Sequence, residues 1–125
     1  NWNSGSFWPP GFLNERHVAR PHSTPVVADA VFVQLFPRSI DFPPVNLFTG
    51  EVTASSSGSM SFVCIPRHGR RPNAVPRSWP ANQPLPGAIN VGLYDGHVEL
   101  VKLDNLWQLY WHNDYKPPLK QPGLQ

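Results

Sequence analysis

The sequence predicts a small, mainly β domain, α+β at most: an antiparallel sheet with long Pro-rich loops and one short C-terminal helix. Three observations lead there. Sixteen prolines and nine glycines make up one residue in five of the 125. Proline removes a backbone donor and interrupts helix interiors and central strands alike, so much of the chain must turn or run irregularly. Fifteen aromatics are spread through the same chain, whereas disordered Pro-rich segments are poor in them. Finally, two alternating apolar runs, Ala88–Tyr94 and His97–Leu103, are joined by Asp95-Gly96.

That junction is the clearest local signal. Asp-Gly between alternating runs predicts a hairpin with a type I′ turn, which needs positive φ at both central residues. Side chains alternate across a strand. Ile89, Val91 and Leu93 therefore share a face opposite Asn90, Gly92 and Tyr94. Val98, Leu100 and Lys102 oppose His97, Glu99, Val101 and Leu103.

Two further runs read as strands. Residues 25–36 are rich in β-branched residues and bounded by prolines, and residues 60–66 carry the apolar run Phe62-Val-Cys-Ile65. Asp29 interrupts the first, and a carboxylate there belongs at an edge or in a hydrogen bond, because burying it unpaired is costly. Asp104 is placed to N-cap a short helix carrying Leu106, Trp107, Leu109, Tyr110 and Trp111, ending near His112-Asn113. Around these elements we expect one domain over 1–125. It comprises an aromatic loop segment at 1–24, a long loop at 37–60, a Pro-rich excursion at 67–87 and an extended tail at 116–125.

Several function classes find no support. A formal net charge of +2 is too small to argue for nucleic acid or an anionic membrane. The local cluster Arg67, His68, Arg70, Arg71 and Arg77 reads first as a solvated loop and second as a contact for an anionic partner. Cys64 is the only cysteine, so no intrachain disulfide and no cysteine-based zinc site can form; its apolar setting marks a buried structural thiol. No apolar run approaches the roughly 20 residues of a membrane span. The chain opens on Asn1 and not on Met, which leads us to expect a processed or truncated product.

No Gly-rich phosphate loop, nucleophile elbow or His-Glu-x-x-His pair is present, and no catalytic residue is assigned. The scatter of His17, His22, His68, Asp95, His97, His112 and Asp114 reads as ordinary hydrogen-bonded residues. Asp95, His97 and His68 are the nearest candidates for metal ligands. We expect no cofactor.

Three stretches together resemble a family. They are Ser23-Thr-Pro-Val-Val-Ala-Asp-Ala-Val-Phe32, Phe62-Val-Cys-Ile-Pro-Arg-His-Gly69, and Gly87-Ala-Ile-Asn-Val-Gly-Leu-Tyr-Asp-Gly-His-Val-Glu-Leu-Val101 running into Leu106-Trp-Gln-Leu-Tyr-Trp-His112. This pattern is similar to the C-terminal region of bacterial prepilin-type, pseudopilin-like proteins with a His-x9-Asp-Gly signature. Arg67, His68, Asn90, Asp95, Gly96 and His97 stand at the signature positions. Between His68 and Asp95 lie 26 residues instead of nine, so 69–86 reads as an insertion. An inserted loop can leave its ends close in space at small entropic cost.

The resemblance implies a β-sheet head following an apolar N-terminal helix. It implies a structural subunit of a type II secretion pseudopilus or type IV pilus-like filament in the cell envelope, at the periplasmic face of the inner membrane or outside the cell. Its partners would be copies of itself or other pilin-like subunits. It would involve no nucleic acid, and would meet a membrane only through that helix. Calcium enters as the one ion that some major pseudopilins hold in a head loop. Contact aromatics would be drawn from Trp2, Trp8, Trp79, Trp107, Tyr110 and Trp111. A second reading is a carbohydrate- or ligand-binding module in which Trp2, Trp8 and Trp79 stack on flat apolar faces. An enzyme would require a convergent polar pocket. So little regular structure leads us to expect a chain that relies on oligomer contacts.

Overall fold

The computed structural model describes residues 11–33, 35–50 and 59–124. Its centre is a three-stranded antiparallel sheet in the order β1-β2-β3, formed by β1 (Pro25–Ala28), β2 (Ala88–Leu93) and β3 (Val98–Lys102). The predicted hairpin is β2–β3, with Ile89 opposite Val101 and Gly92 opposite Val98.

Its turn is not type I′. Gly96 has φ +94°, but Asp95 is not in the left-handed region. The Gly96 amide donates to Leu93 O at 2.9 Å and the Leu93 amide to His97 O at 2.9 Å. This is the three-residue loop in which a type I turn is followed by a left-handed residue that forms a bulge. One left-handed residue suffices, and glycine supplies it.

The inner face of the sheet carries Ile89, Val91, Leu93, Val101 and Leu103, all buried. Among the described residues no second regular layer covers it. The core is completed by Leu47 and by Met60, Val63, Cys64 and Ile65 from irregular chain, together with Leu106 and Trp107.

Residues 60–66 are therefore core but not a strand, correcting the sequence reading. Ser59–Phe62 is a 3-10 turn, with the Val63 and Cys64 amides donating back to Met60 O. The run is buried almost throughout, and a short apolar run without alternation does not distinguish a strand from a buried turn.

The other strand is shorter than expected, ending at Ala28 and not at residue 36. Val27 and Ala28 pair with Gly92 and Val91 across a bulge at Val26. One step further, the row beside Ala88 is taken by His68, whose amide and carbonyl both bond Ala88 at 2.9 Å. With that place filled, the chain bends over 31–33, tied by the Val31 amide to Phe62 O and by the tilted Phe32–Phe62 ring pair.

The C-terminal helix is a 3-10 turn, Leu103–Gln108, with Lys102 in the cap position and no side-chain cap. Asp104 lies inside it and accepts from the Leu85 amide at 2.8 Å instead, anchoring the end of the Pro-rich excursion. The turn stops well before 112. The Tyr110 amide is drawn to Ser23 O at 2.8 Å and Trp111 Nε1 donates back to Leu106 O at 2.8 Å, which holds this stretch extended.

The excursion 69–86 closes at its neck through the His68–Ala88 bridge. Beyond the neck it docks on the loop before it: the Trp79 amide donates to Val45 O, the Leu47 amide donates to Pro76 O, and Arg77 stacks on Phe48. Residues 116–124 are no free tail. Gln121 is buried, Pro118 O accepts from Gln108 Nε2, and Gly123 lies against Ala81 and Phe42.

Candidate functional site

The outer face of the sheet forms three cross-strand rows. Val27, Gly92 and Val98 make the first; Asp29, Asn90 and Leu100 the second; His68, Ala88 and Lys102 the third. Asp29 belongs to the second row because its amide donates to Asn90 O at 3.1 Å. Val27, Val98 and Leu100 are 67%, 70% and 55% exposed. With no side chain at Gly92, Val27 leans over it, its Cγ1 only 2.7 Å from where a Cβ would lie. The result is a low, open apolar surface flanked by polar residues.

A polar clasp occupies the second and third rows. Asp29 Oδ2 accepts from the Asn90 amide at 2.9 Å and lies 3.1 Å from His68 Nε2. The side-chain amide of Asn90 is 3.0 Å from the same imidazole nitrogen. The contacting Asn90 atom is Nδ2, a donor, so a protonated Nε2 bonds Asp29 and an unprotonated one accepts from Asn90, and the imidazole tautomer selects between them. Three segments distant in sequence are fastened here: the end of β1, the neck of the excursion and β2. Asn90 and His68 stand at signature positions. For Asp29 the sequence predicts an edge position or a hydrogen bond, and its partners are not readable from sequence spacing.

The other signature residues lie elsewhere. Asp95, Gly96 and His97 form the hairpin tip, at the opposite end of β2 from His68. His68 and Asp95 therefore do not pair, and the three metal candidates are not brought together. Among the described residues no group of three or more His, Cys, Asp or Glu side chains could hold a metal ion.

At the tip His97 sits between two carboxylates, Nδ1 to Asp95 Oδ1 and Nε2 to Glu99 Oε2. Its pKa is raised, first by the Asp95 contact and then by Glu99. The Asp95 carboxyl is lowered, first by the His97 amide at 3.1 Å and then by the imidazole. Protonated His97 is thus favoured by the folded hairpin. That contribution is fully present below the ordinary imidazole pKa and fades as pH rises through the folded value, whereas the Asp95 share is lost as pH falls through its own depressed value. NMR titration should place His97 above 6.5, and Asp95→Asn should bring it down; an unchanged His97 midpoint in that variant would refute the assignment.

The aromatic candidates divide. Trp107 is fully buried, with Nε1 donating to Asp41 O at 2.9 Å, so it is core and not a contact residue. Trp79 and Trp111 are half-buried and pack against the core. Tyr110 is half-buried beneath Arg20, 4.7 Å from its ring centre. Trp2 and Trp8 lie outside the described residues. A groove of about 530 Å³ runs beside β1, lined in part by Ala28, Phe32, Leu35 and Trp111.

Of the scattered histidines, His17 accepts from the Leu13 amide at Nδ1 and His112 Nδ1 lies against Asn113 O. Asp114 adopts φ +64° in a turn. Among the described residues, no helix is long and apolar enough to cross a membrane. Compared with protein-family models, with curated proteins and with solved structures, the chain matches none.

Proposed function

We propose that this chain is a structural assembly subunit, the pseudopilin-like head of a secretion pseudopilus or pilus-like filament in the cell envelope. The observation that supports the reading most is the sheet's outer face. Exposed Val27, Val98 and Leu100 form a patch beside the clasp built from the signature residues His68 and Asn90. Contiguous exposed apolar surface of this kind marks contact with another macromolecule. The work of such a subunit is packing, and what this chain contributes is a stiff sheet whose rows are locked by Asp29, His68 and Asn90.

Fractionation of source cells tests the proposal. An antibody to the chain should detect it in envelope membranes and in filaments sheared from the cell surface. Recovery only from the soluble cytoplasm would refute the assembly role.

One observation favours a ligand-binding alternative, the groove beside β1 with Phe32 and Trp111 on its walls. Aromatic faces there would stack on a sugar ring. Binding of soluble polysaccharide that is abolished by Trp111→Ala would support it, and no binding to a polysaccharide panel would remove it.

A further inference from the structure

We infer that the chain carries a small-molecule site, independent of the assembly reading, whose ligand is a monocarboxylic acid built on a single ring that also bears a hydroxyl group. The site is a pocket of about 210 Å³ where the loop before β1 meets residues 110–115. It has no lining residue in common with the groove beside β1. Drug-sized ligands fill roughly 300–1,000 Å³, so this pocket has room for one ring and its substituents.

Local sequence builds the walls. Asn14 caps the 3-10 turn Glu15–His17 by accepting from the Arg16 amide at 2.9 Å, and the Thr24 hydroxyl donates to Arg20 O at 2.8 Å. The bond from the Tyr110 amide to Ser23 O sets residues 110–112 against this loop. The left-handed Asp114 then turns the chain, and the Tyr115 hydroxyl donates to Trp107 O at 2.9 Å. Walls tied down in this way need little ordering when a ligand binds.

The polar groups on those walls define the ligand. Arg20 lies with its guanidinium 4.7 Å from the Tyr110 ring centre and has no carboxylate partner among the described residues. Stacking occupies one face of the guanidinium and leaves its edge, a planar fork that matches a carboxylate. His17 Nδ1 accepts from the Leu13 amide at 3.2 Å, so the proton of the neutral ring sits on Nε2, a second donor. His112 is the reverse: Nδ1 lies 2.7 Å from Asn113 O and must donate, which leaves Nε2 as an acceptor for a ligand hydroxyl. Phe12 and the edge-to-face rings of Tyr110 and Tyr115 give the pocket its aromatic walls. Asp114, exposed at the rim, is the carboxylate that also lines the pocket. It opposes a second negative charge and so selects a monoanion over a phosphate dianion.

NMR titration of the full 125-residue chain with glucuronate and, separately, with para-hydroxybenzoate tests the inference. The first acid carries the carboxylate and hydroxyl on a sugar ring, the second on an aromatic ring. Saturable shifts of the His17, Tyr110 and His112 signals are expected, with a Kd of about 1 mM for a ligand of this size. A response to glucuronate alone assigns a sugar acid, and a response to hydroxybenzoate alone assigns an aromatic acid. Arg20→Gln should weaken binding by at least about fivefold, and Arg20→Lys, which keeps the charge but not the fork, should fall between. His112→Phe keeps a ring beside Tyr115 and removes the acceptor, and should weaken the hydroxy acid by about fivefold. The signals of the β2–β3 hairpin report whether each variant is folded.

No saturable shift with either acid at about twentyfold that concentration overturns the inference. So does binding that survives Arg20→Gln in a folded chain, or inorganic phosphate bound as tightly as the acids. Shifts centred on Phe32 with Tyr110 unmoved would place the ligand in the groove beside β1 and likewise overturn it.

Discussion

Replacing Asp41 by alanine should destabilise the domain by about 3 kcal/mol, a large share of the roughly 5–15 kcal/mol that hold a domain of this kind together. The carboxylate is buried and accepts from both Arg38 and Met60. Oδ2 takes the Arg38 amide at 2.9 Å and the Met60 amide at 3.3 Å, and Oδ1 takes Arg38 Nε at 2.9 Å. Arg38 is partly exposed and rehydrates when its partner is removed. The Met60 amide is buried and does not, and a buried donor without a partner carries its full desolvation penalty. Asp41 O also receives the indole of Trp107, so movement of this residue disturbs the largest buried side chain in the core. Urea denaturation should show the midpoint falling with an unchanged slope. Asp41→Asn, which keeps one oxygen acceptor, should lose less. A loss below about 1 kcal/mol for alanine would show that water replaces the carboxylate and that the site is not structurally decisive.

The second large effect is expected at the neck of the Pro-rich excursion. Gly87 has φ +80°, and a Cβ there would lie 2.6 Å from Pro66 Cβ and 3.0 Å from His68 O. Pro66 is buried and its ring cannot swing aside, so the backbone would have to move and take the His68–Ala88 bridge with it. Gly87→Ala should cost about 2–4 kcal/mol, combining left-handed strain with overpacking. Gly96 at the hairpin tip supplies the control. Its φ is +94° with nothing within 4 Å of the Cβ position, so alanine there meets strain alone, about 1 kcal/mol. Equal losses at the two positions would mean that the close approach to Pro66 is relieved cheaply.

What the sequence shows clearly is the hairpin, because alternation and a turn residue pair agree over consecutive positions. Its inner and outer faces follow directly from Ile89, Val91 and Leu93 against Asn90 and Gly92. The turn subtype is not readable, since Asp95-Gly96 suits both a two-residue and a three-residue loop, and the choice depends on whether Asp95 itself must go left-handed. Residues 60–66 look like a strand because burial on all sides erases periodicity. Asp104 has cap chemistry, but its carboxylate is claimed by Leu85, 19 residues away. The clasp is half legible: Asn90 and His68 stand out by resemblance, whereas Asp29 reaches them only because His68 takes the place that would have continued β1. Asp41 carries no local signal, its role being fixed by where Met60 and Trp107 happen to meet it.

Cys64 gives the molecule a use of its own. It is the only thiol in the chain and lies at the centre of the core. Burial, then the fields of Asp104 and Asp41, push its pKa up, so the reactive thiolate is doubly withheld. A thiol reagent can mark it only after the surrounding walls have parted. The rate of labelling therefore reports the openings, local or global, that expose the core. Each protein molecule thus carries its own clock for the events that part its core.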